Sequence, residues 1–132
     1  MFNTVLFKKS YISRDMLDPK HESEIYSLHK LENKDLFPQF RKLIECDMIE
    51  HVSLKIGKKV FHLWLDEEGK LKENLPCFLC KEYRDIFVGN VIFTRGTSTL
   101  KPITDEEIQM IKDYVNDGRY RLLNVALQQY AI

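Results

Sequence analysis

The amino-acid sequence predicts an α+β fold, with a small mixed or mainly antiparallel sheet packed by two or three helices in a single pair of layers. Three observations carry that prediction. Apolar and polar residues alternate from His51 to Ile56, placing Val52, Leu54 and Ile56 on one face of a half-buried strand. Lys59–Leu65 shows little alternation, as in a strand covered on both faces, and Ile86–Thr94 is rich in the β-branched and aromatic residues of a strand. Leu36, Phe40, Leu43 and Ile44, and later Ile108, Ile111 and Val115, recur at the spacing of a helix with one apolar side.

In chain order, Thr4–Phe7 reads as a first strand ending at Lys8-Lys9. Ser13–Ser23, with Asp15, Asp18, Pro19 and Lys20, has loop composition. Glu24–Leu31 fits either a second strand, with Tyr26 and Leu28 on one face, or a short helix. Asp35 is placed to cap a helix whose first turn tolerates Pro38, because that position needs no backbone donor. The helix should end near Cys46-Asp47, and Gly57-Lys58 should turn the chain between two strands.

The tetrapeptide Asp66–Gly69 suits a type I turn followed by a left-handed residue, returning the chain as a short strand over Lys70–Lys72. Leu75-Pro76 interrupts regular structure. Ile86–Thr94 is expected as one central strand, with Gly89 marking a bulge or a close backbone approach. Thr104-Asp105-Glu106-Glu107 is a capping box, and Asn116-Asp117-Gly118 offers a left-handed stop. Leu122, Leu123, Ala126, Leu127 and Tyr130 then fit a separate final helix.

The 132 residues suffice for one domain spanning 1–132, and no repeat or linker points to a second. Lysine plus arginine equals aspartate plus glutamate at 20 each, with 10 basic and 9 acidic groups over residues 1–58 and 10 and 11 over 59–132. Nucleic-acid binding draws much of its affinity from phosphate neutralisation, so neither half carries a clear nucleic-acid footprint. Apolar runs are too short for a membrane span, and Lys8 and Lys9 follow the first apolar stretch where a secretory signal would have its charge in front. Three cysteines, an odd number, agree with a reducing compartment, and a cytoplasmic location is expected.

Asp66–Lys70, Leu75-Pro76, Asp85–Gly89 and Ile103–Ile108 follow one another as an acidic DEEGK turn, a Leu-Pro break, an IxVG strand and an LTDEQI-like capped helix. From about Asp35 to Val115 this order resembles a small uncharacterised domain family of bacteriophages, plasmids and other mobile elements. Ile103 stands where leucine is usual and Glu107 where glutamine is, and the chain has a longer N-terminal segment and an added C-terminal helix. The resemblance implies an accessory protein of a mobile element that manages a host or phage component. It brings no catalytic residues.

Cys77-Phe78-Leu79-Cys80 is the sharpest motif, since that spacing serves thiol-disulfide sites and half of a zinc site. Zinc would need two more ligands, with Cys46, His51 and His62 as the candidates; redox chemistry would want Cys77 at a helix N-terminus. Buried structural thiols are the expected reading. His21, His29, His51 and His62 are scattered outside any nucleophile motif, although His51 and His62 should be neighbours across a hairpin as neutral, hydrogen-bonded rings. Asp66–Glu68 and Asp105–Glu107 are explained by a turn and a helix start, and Gly89 and Gly96 form no phosphate loop.

No catalytic residue, metal ligand or cofactor is therefore assigned, and the binding surface is left open. Exposed aromatics among Tyr11, Tyr26, Phe37, Tyr83, Tyr120 and Tyr130 would favour a protein partner. The expected role is a non-catalytic protein-binding accessory, an inhibitor or modulator of a host factor such as a defence nuclease. The alternatives are a nucleic-acid-binding or regulatory accessory and a small thiol-redox or metal-binding protein using Cys77 and Cys80. The N-terminal 30 residues, the Cys77–Tyr83 connection and the helix after Gly118 are the expected places for function.

Overall fold

A computed structural model describes residues 2–10, 25–72 and 74–130. Its elements run β1 (Phe2–Lys8), β2 (Tyr26–Glu32), α1 (Leu36–Ile44), β3 (Ile49–Ile56), β4 (Lys59–Asp66), β5 (Pro76–Cys80), β6 (Asp85–Val88), β7 (Val91–Thr94) and α2 (Asp105–Tyr130). Five strands form one antiparallel sheet in the order β2-β1-β7-β4-β3, and β5 and β6 pair as a separate two-stranded sheet. The α+β class holds, with the sheet fully antiparallel and two helices among the described residues. The predicted loop at Ser13–Ser23 falls outside those residues, apart from which Glu24–Leu31 takes the strand alternative.

Side-chain alternation sends two apolar sets to opposite faces of the large sheet. Leu6, Val52, Leu54, Phe61, Leu63 and Phe93 pack with Phe78 and Phe87 of the small sheet and Ile111 and Val115 of α2. Val5, Leu31, Trp64 and Ile92 face the other way, against Leu36, Phe40 and Ile44 of α1. The expected single pair of layers is thus replaced by three, because β4 and β7 are apolar at successive positions and need cover on both sides.

Several local expectations change for tertiary reasons. Ile86–Thr94 is two strands in two different sheets, β6 and β7, divided at Gly89 and Asn90. Gly89 takes φ 77, a left-handed conformation that glycine adopts without a Cβ penalty. Asn90 fastens the crossing: its Oδ1 accepts from the Ser10 N–H at 2.8 Å, and its Nδ2 donates to the last carbonyl of α1, Ile44 O, at 3.4 Å. Lys70–Lys72 is a continued turn and not a strand, closed by Lys72 N–H to Glu68 O at 3.0 Å and Asn74 N–H to Gly69 O at 3.0 Å. Gly69 is there for space, since a Cβ would lie 2.9 Å from Val88 Cγ2.

Asp35 precedes α1 but its side chain makes no cap bond, and its φ is 50. Gln39 instead ties the helix to the end of β2, its Oε1 accepting from Glu32 N–H at 3.0 Å and its Nε2 donating to Glu32 O at 2.8 Å and Lys34 O at 2.9 Å. At the other end, Glu45 closes the helix in the left-handed region, donating to Arg41 O at 2.8 Å.

The predicted stop at Gly118 does not occur, and the two helices expected around it are one continuous α2. Gly118 is buried where α2 crosses β5; a Cβ there would stand 2.4 Å from Leu79 O. The capping box forms as read. Glu107 N–H donates to Thr104 Oγ1 at 3.1 Å, and Thr104 N–H donates to Glu107 Oε1 at 2.9 Å.

Candidate functional site

The two-residue Gly57-Lys58 turn sets the register of the β3–β4 hairpin, pairing His51 with Trp64, Ser53 with His62 and Lys55 with Val60. Those six side chains share the α1 side of the sheet. α1 covers Trp64 and stops there, leaving His51, Ser53, Lys55 and Val60 exposed and His62 half-buried. Val60 is 45% exposed, and Phe37, in the first turn of α1, is 51% exposed.

The rings on this face form a ladder. Phe40 lies 4.8 Å and Phe37 5.6 Å from Trp64 by ring centroid, His51 stacks on Trp64 at 4.6 Å, and His62 follows His51 at 5.0 Å. Trp64 is the fixed rung: it is buried, and its indole N–H donates to Thr94 Oγ1 at 2.9 Å while that hydroxyl donates to Gly96 O at 2.8 Å. His51 Nε2 and His62 Nδ1 are 2.9 Å apart, one donating to the other, and Ser53 Oγ is 3.5 Å from the same His62 nitrogen. The expected neighbouring, hydrogen-bonded pair is therefore present. Burial first, then the charges of His51 and Arg95, hold the His62 imidazole below its ordinary range.

Behind the hairpin, Arg95 and Lys59 converge on one buried carboxylate. Arg95 Nε is 2.9 Å and Lys59 Nζ 3.3 Å from Glu107 Oε2, while Arg95 also donates to Val60 O and lies over the Phe61 ring at 5.2 Å. Burial pushes the Glu107 carboxyl up, but the bonds from Thr104 and Lys59 and the Arg95 charge outweigh it and leave the group below its usual range. This cluster pins the tip of the hairpin to the start of α2. Beside Phe37, an open cleft of ≈ 280 Å³ is lined by Asp35, Leu36, Phe37, Pro38, Thr97 and Ser98. It is smaller than ligand pockets of about 300–1,000 Å³, and a second cleft at Glu50, Glu67, Leu71 and Asp85 is ≈ 140 Å³.

The other singled-out residues lie elsewhere. Cys77 and Cys80 are free thiols buried in the core on a strand, and Cys80 Sγ sits 3.6 Å from Tyr114 Oη. The Cys77–Tyr83 connection is thus partly core strand. Cys46 is half-buried on the α1 side, its thiol pushed up by burial and then by Asp66. Among the described residues no three His, Cys, Asp or Glu side chains gather to hold a metal ion. Asp66 accepts from Glu68 N–H at 2.9 Å and Lys72 Nζ at 3.0 Å, which spends it on the turn.

Of the aromatics named from the sequence, Phe37 and Tyr83 are exposed, and Tyr26 is packed against the core. Tyr83 donates to Ser53 O at 2.5 Å, lying against the outer edge of β3. Tyr11 and His21 fall outside the described residues, as do the side chains of Tyr120 and Tyr130. His29 contacts Ser27 Oγ at 2.8 Å and the Phe7 ring at the far edge of the sheet. Trp64 and Val60 were missed as site residues because a dense apolar strand hides which positions lack cover; only the alternation across the hairpin would have separated them.

No helix among the described residues is long and apolar enough to cross a membrane. No curated protein and no solved structure matches the chain. Residues 16–116 match a family described as a domain of unknown function, so the chain, most of which that match spans, belongs to the DUF3846 family.

Proposed function

We propose that the chain is a non-catalytic protein-binding module whose docking surface is the uncovered outer half of the α1 side of the sheet. The observation that carries this reading is the ring ladder from Phe37 to His62. Phe37 and His51 are open to solvent, His62 is half-buried, and the central Trp64 is locked from below by Thr94. Rigid aromatic groups with a polar edge are the groups that anchor interfaces, because they bury large area with little loss of side-chain freedom. The motif resemblance to domains of mobile elements supports a more specific role, as an accessory that inhibits or redirects a host factor such as a defence nuclease.

Affinity capture from the cells that carry the gene, run in parallel with the wild-type chain and a Phe37→Ala, His51→Ala variant, tests the surface. Both positions are exposed, so the variant should fold, and a specific partner should be lost from its capture. A partner retained undiminished would move the docking surface elsewhere. Retention on DNA or RNA that weakens steeply with salt would assign the role to nucleic acid instead.

A further inference from the structure

We propose that His51 and His62 form a two-imidazole site for a borderline divalent transition-metal ion, of the Ni²⁺ or Cu²⁺ type, with the remaining coordination positions filled by water. The proposal stands apart from the protein-binding reading. It rests on where two nitrogens are held, and on what holds them.

The facing atoms are His51 Nε2 and His62 Nδ1, 2.9 Å apart on adjacent strands, with their rings 28° from parallel. Metal–imidazole bonds are about 2.0–2.1 Å long, so a 2.9 Å separation subtends an angle of about 90° at an ion bound to both. That is the angle between neighbouring ligands in square-planar and octahedral coordination, the geometries of Cu²⁺ and Ni²⁺. A tetrahedral Zn²⁺ would require the nitrogens to spread to about 3.3 Å. Binding breaks the hydrogen bond between the rings, and each ring turns by about 45° so that its nitrogen, now aimed at the other, is directed at a common point above the sheet.

Preorganisation is the second support. His51 is stacked on Trp64, Trp64 is fixed by Thr94, and the Gly57-Lys58 turn sets the strand register, so chelation need not order two free side chains. His51 is exposed and His62 half-buried, which leaves the outward side open to water. Ser53 Oγ, 3.5 Å from His62 Nδ1, is placed to hydrogen-bond a metal-bound water. The proton balance closes. With both rings neutral, the bridging proton leaves its facing nitrogen and that ring is protonated at its other nitrogen, so none is released. An imidazolium ring would instead lose one proton, and burial together with His51 and Arg95 disfavours that form at His62.

Calorimetric titration of the full chain with Ni²⁺ near neutral pH, each variant first checked for folding by circular dichroism, tests the site. One ion should bind per chain, about tenfold or more weakly in His51→Gln and in His62→Gln, and with unchanged affinity in His21→Gln, His29→Gln. Binding should also weaken in acid, where protons compete with the ion for imidazole nitrogen, and Mg²⁺ should give no heat. Equal Ni²⁺ affinity in the wild type and both single variants overturns the proposal, as does loss of binding only in the His21, His29 variant. Should either single variant fail to fold, the histidine Cε1–H resonances of the wild-type chain decide: Ni²⁺ must broaden two of the four first, and broadening of all four together overturns it.

Discussion

The two faces of the five-stranded sheet come from the same strands, yet they are finished differently. One is closed by the β5–β6 sheet and α2, which bury Phe61, Phe78, Phe93, Ile111 and Val115 completely. The other is covered by the nine residues of α1 over Val5, Leu31, Trp64 and Ile92, and past Trp64 the hairpin is open. Closure on the first face brings the glycine contacts and the buried ion cluster with it. On the second, incomplete cover leaves Phe37 and His51 facing solvent, and the proposed docking surface rests on that difference. A small protein can devote one side of a sheet to stability and the other to contact.

Truncation should separate the two faces most strongly. Phe78→Ala removes a fully buried ring and should destabilise the chain by about 3–5 kcal/mol in denaturant unfolding, whereas the exposed Phe37→Ala should stay within about 1 kcal/mol. Comparable losses would mean that the open face is covered in solution and would break the comparison.

Gly118→Ala sharpens it by reversing a sign. In an ordinary helix interior the change stabilises by about 0.5–1 kcal/mol. Here the added carbon falls 2.4 Å from Leu79 O, so the thermal midpoint should drop, by about 1–3 kcal/mol of stability, as α2 is pushed off β5.

The smallest effect concerns acid. Glu107 has a folded-state pKa below its unfolded value of about 4.3, so its contribution is present above that pH and is lost as pH falls through the folded value. Glu107→Gln should therefore flatten the acid limb of stability against pH. His62 works in the same direction at higher pH. Its imidazole titrates below the unfolded value of about 6.5, so stability falls as pH drops through that window, and a His62→Gln chain should lack this slope.

The parts of this molecule that were readable are those whose information is local. The Thr104–Glu107 box could be read in full because both of its bonds close within four residues. The β3–β4 hairpin was readable because alternation and a two-residue turn set its register, and the His51–His62 contact followed. Asp35 was misread because the chain enters the helix with Asp35 in the left-handed region, at φ 50, and not in the extended conformation from which an N-cap side chain reaches back to the first turn. The Cys77-x-x-Cys80 pair invited chemistry, but its thiols became buried once β5 was laid under α2.

By itself, then, the sequence determined α1, the β3–β4 hairpin and its register, the Thr104–Glu107 cap and the α+β class, because periodicity and short-range hydrogen bonds depend only on near neighbours. The tertiary structure decided that Gly69 and Gly118 are packing residues and not punctuation, that Ile86–Thr94 divides between two sheets, and that among the described residues the outer half of one face is left exposed. Each of those outcomes depends on which distant backbone arrives within a few ångströms, and no pattern along the chain records that distance.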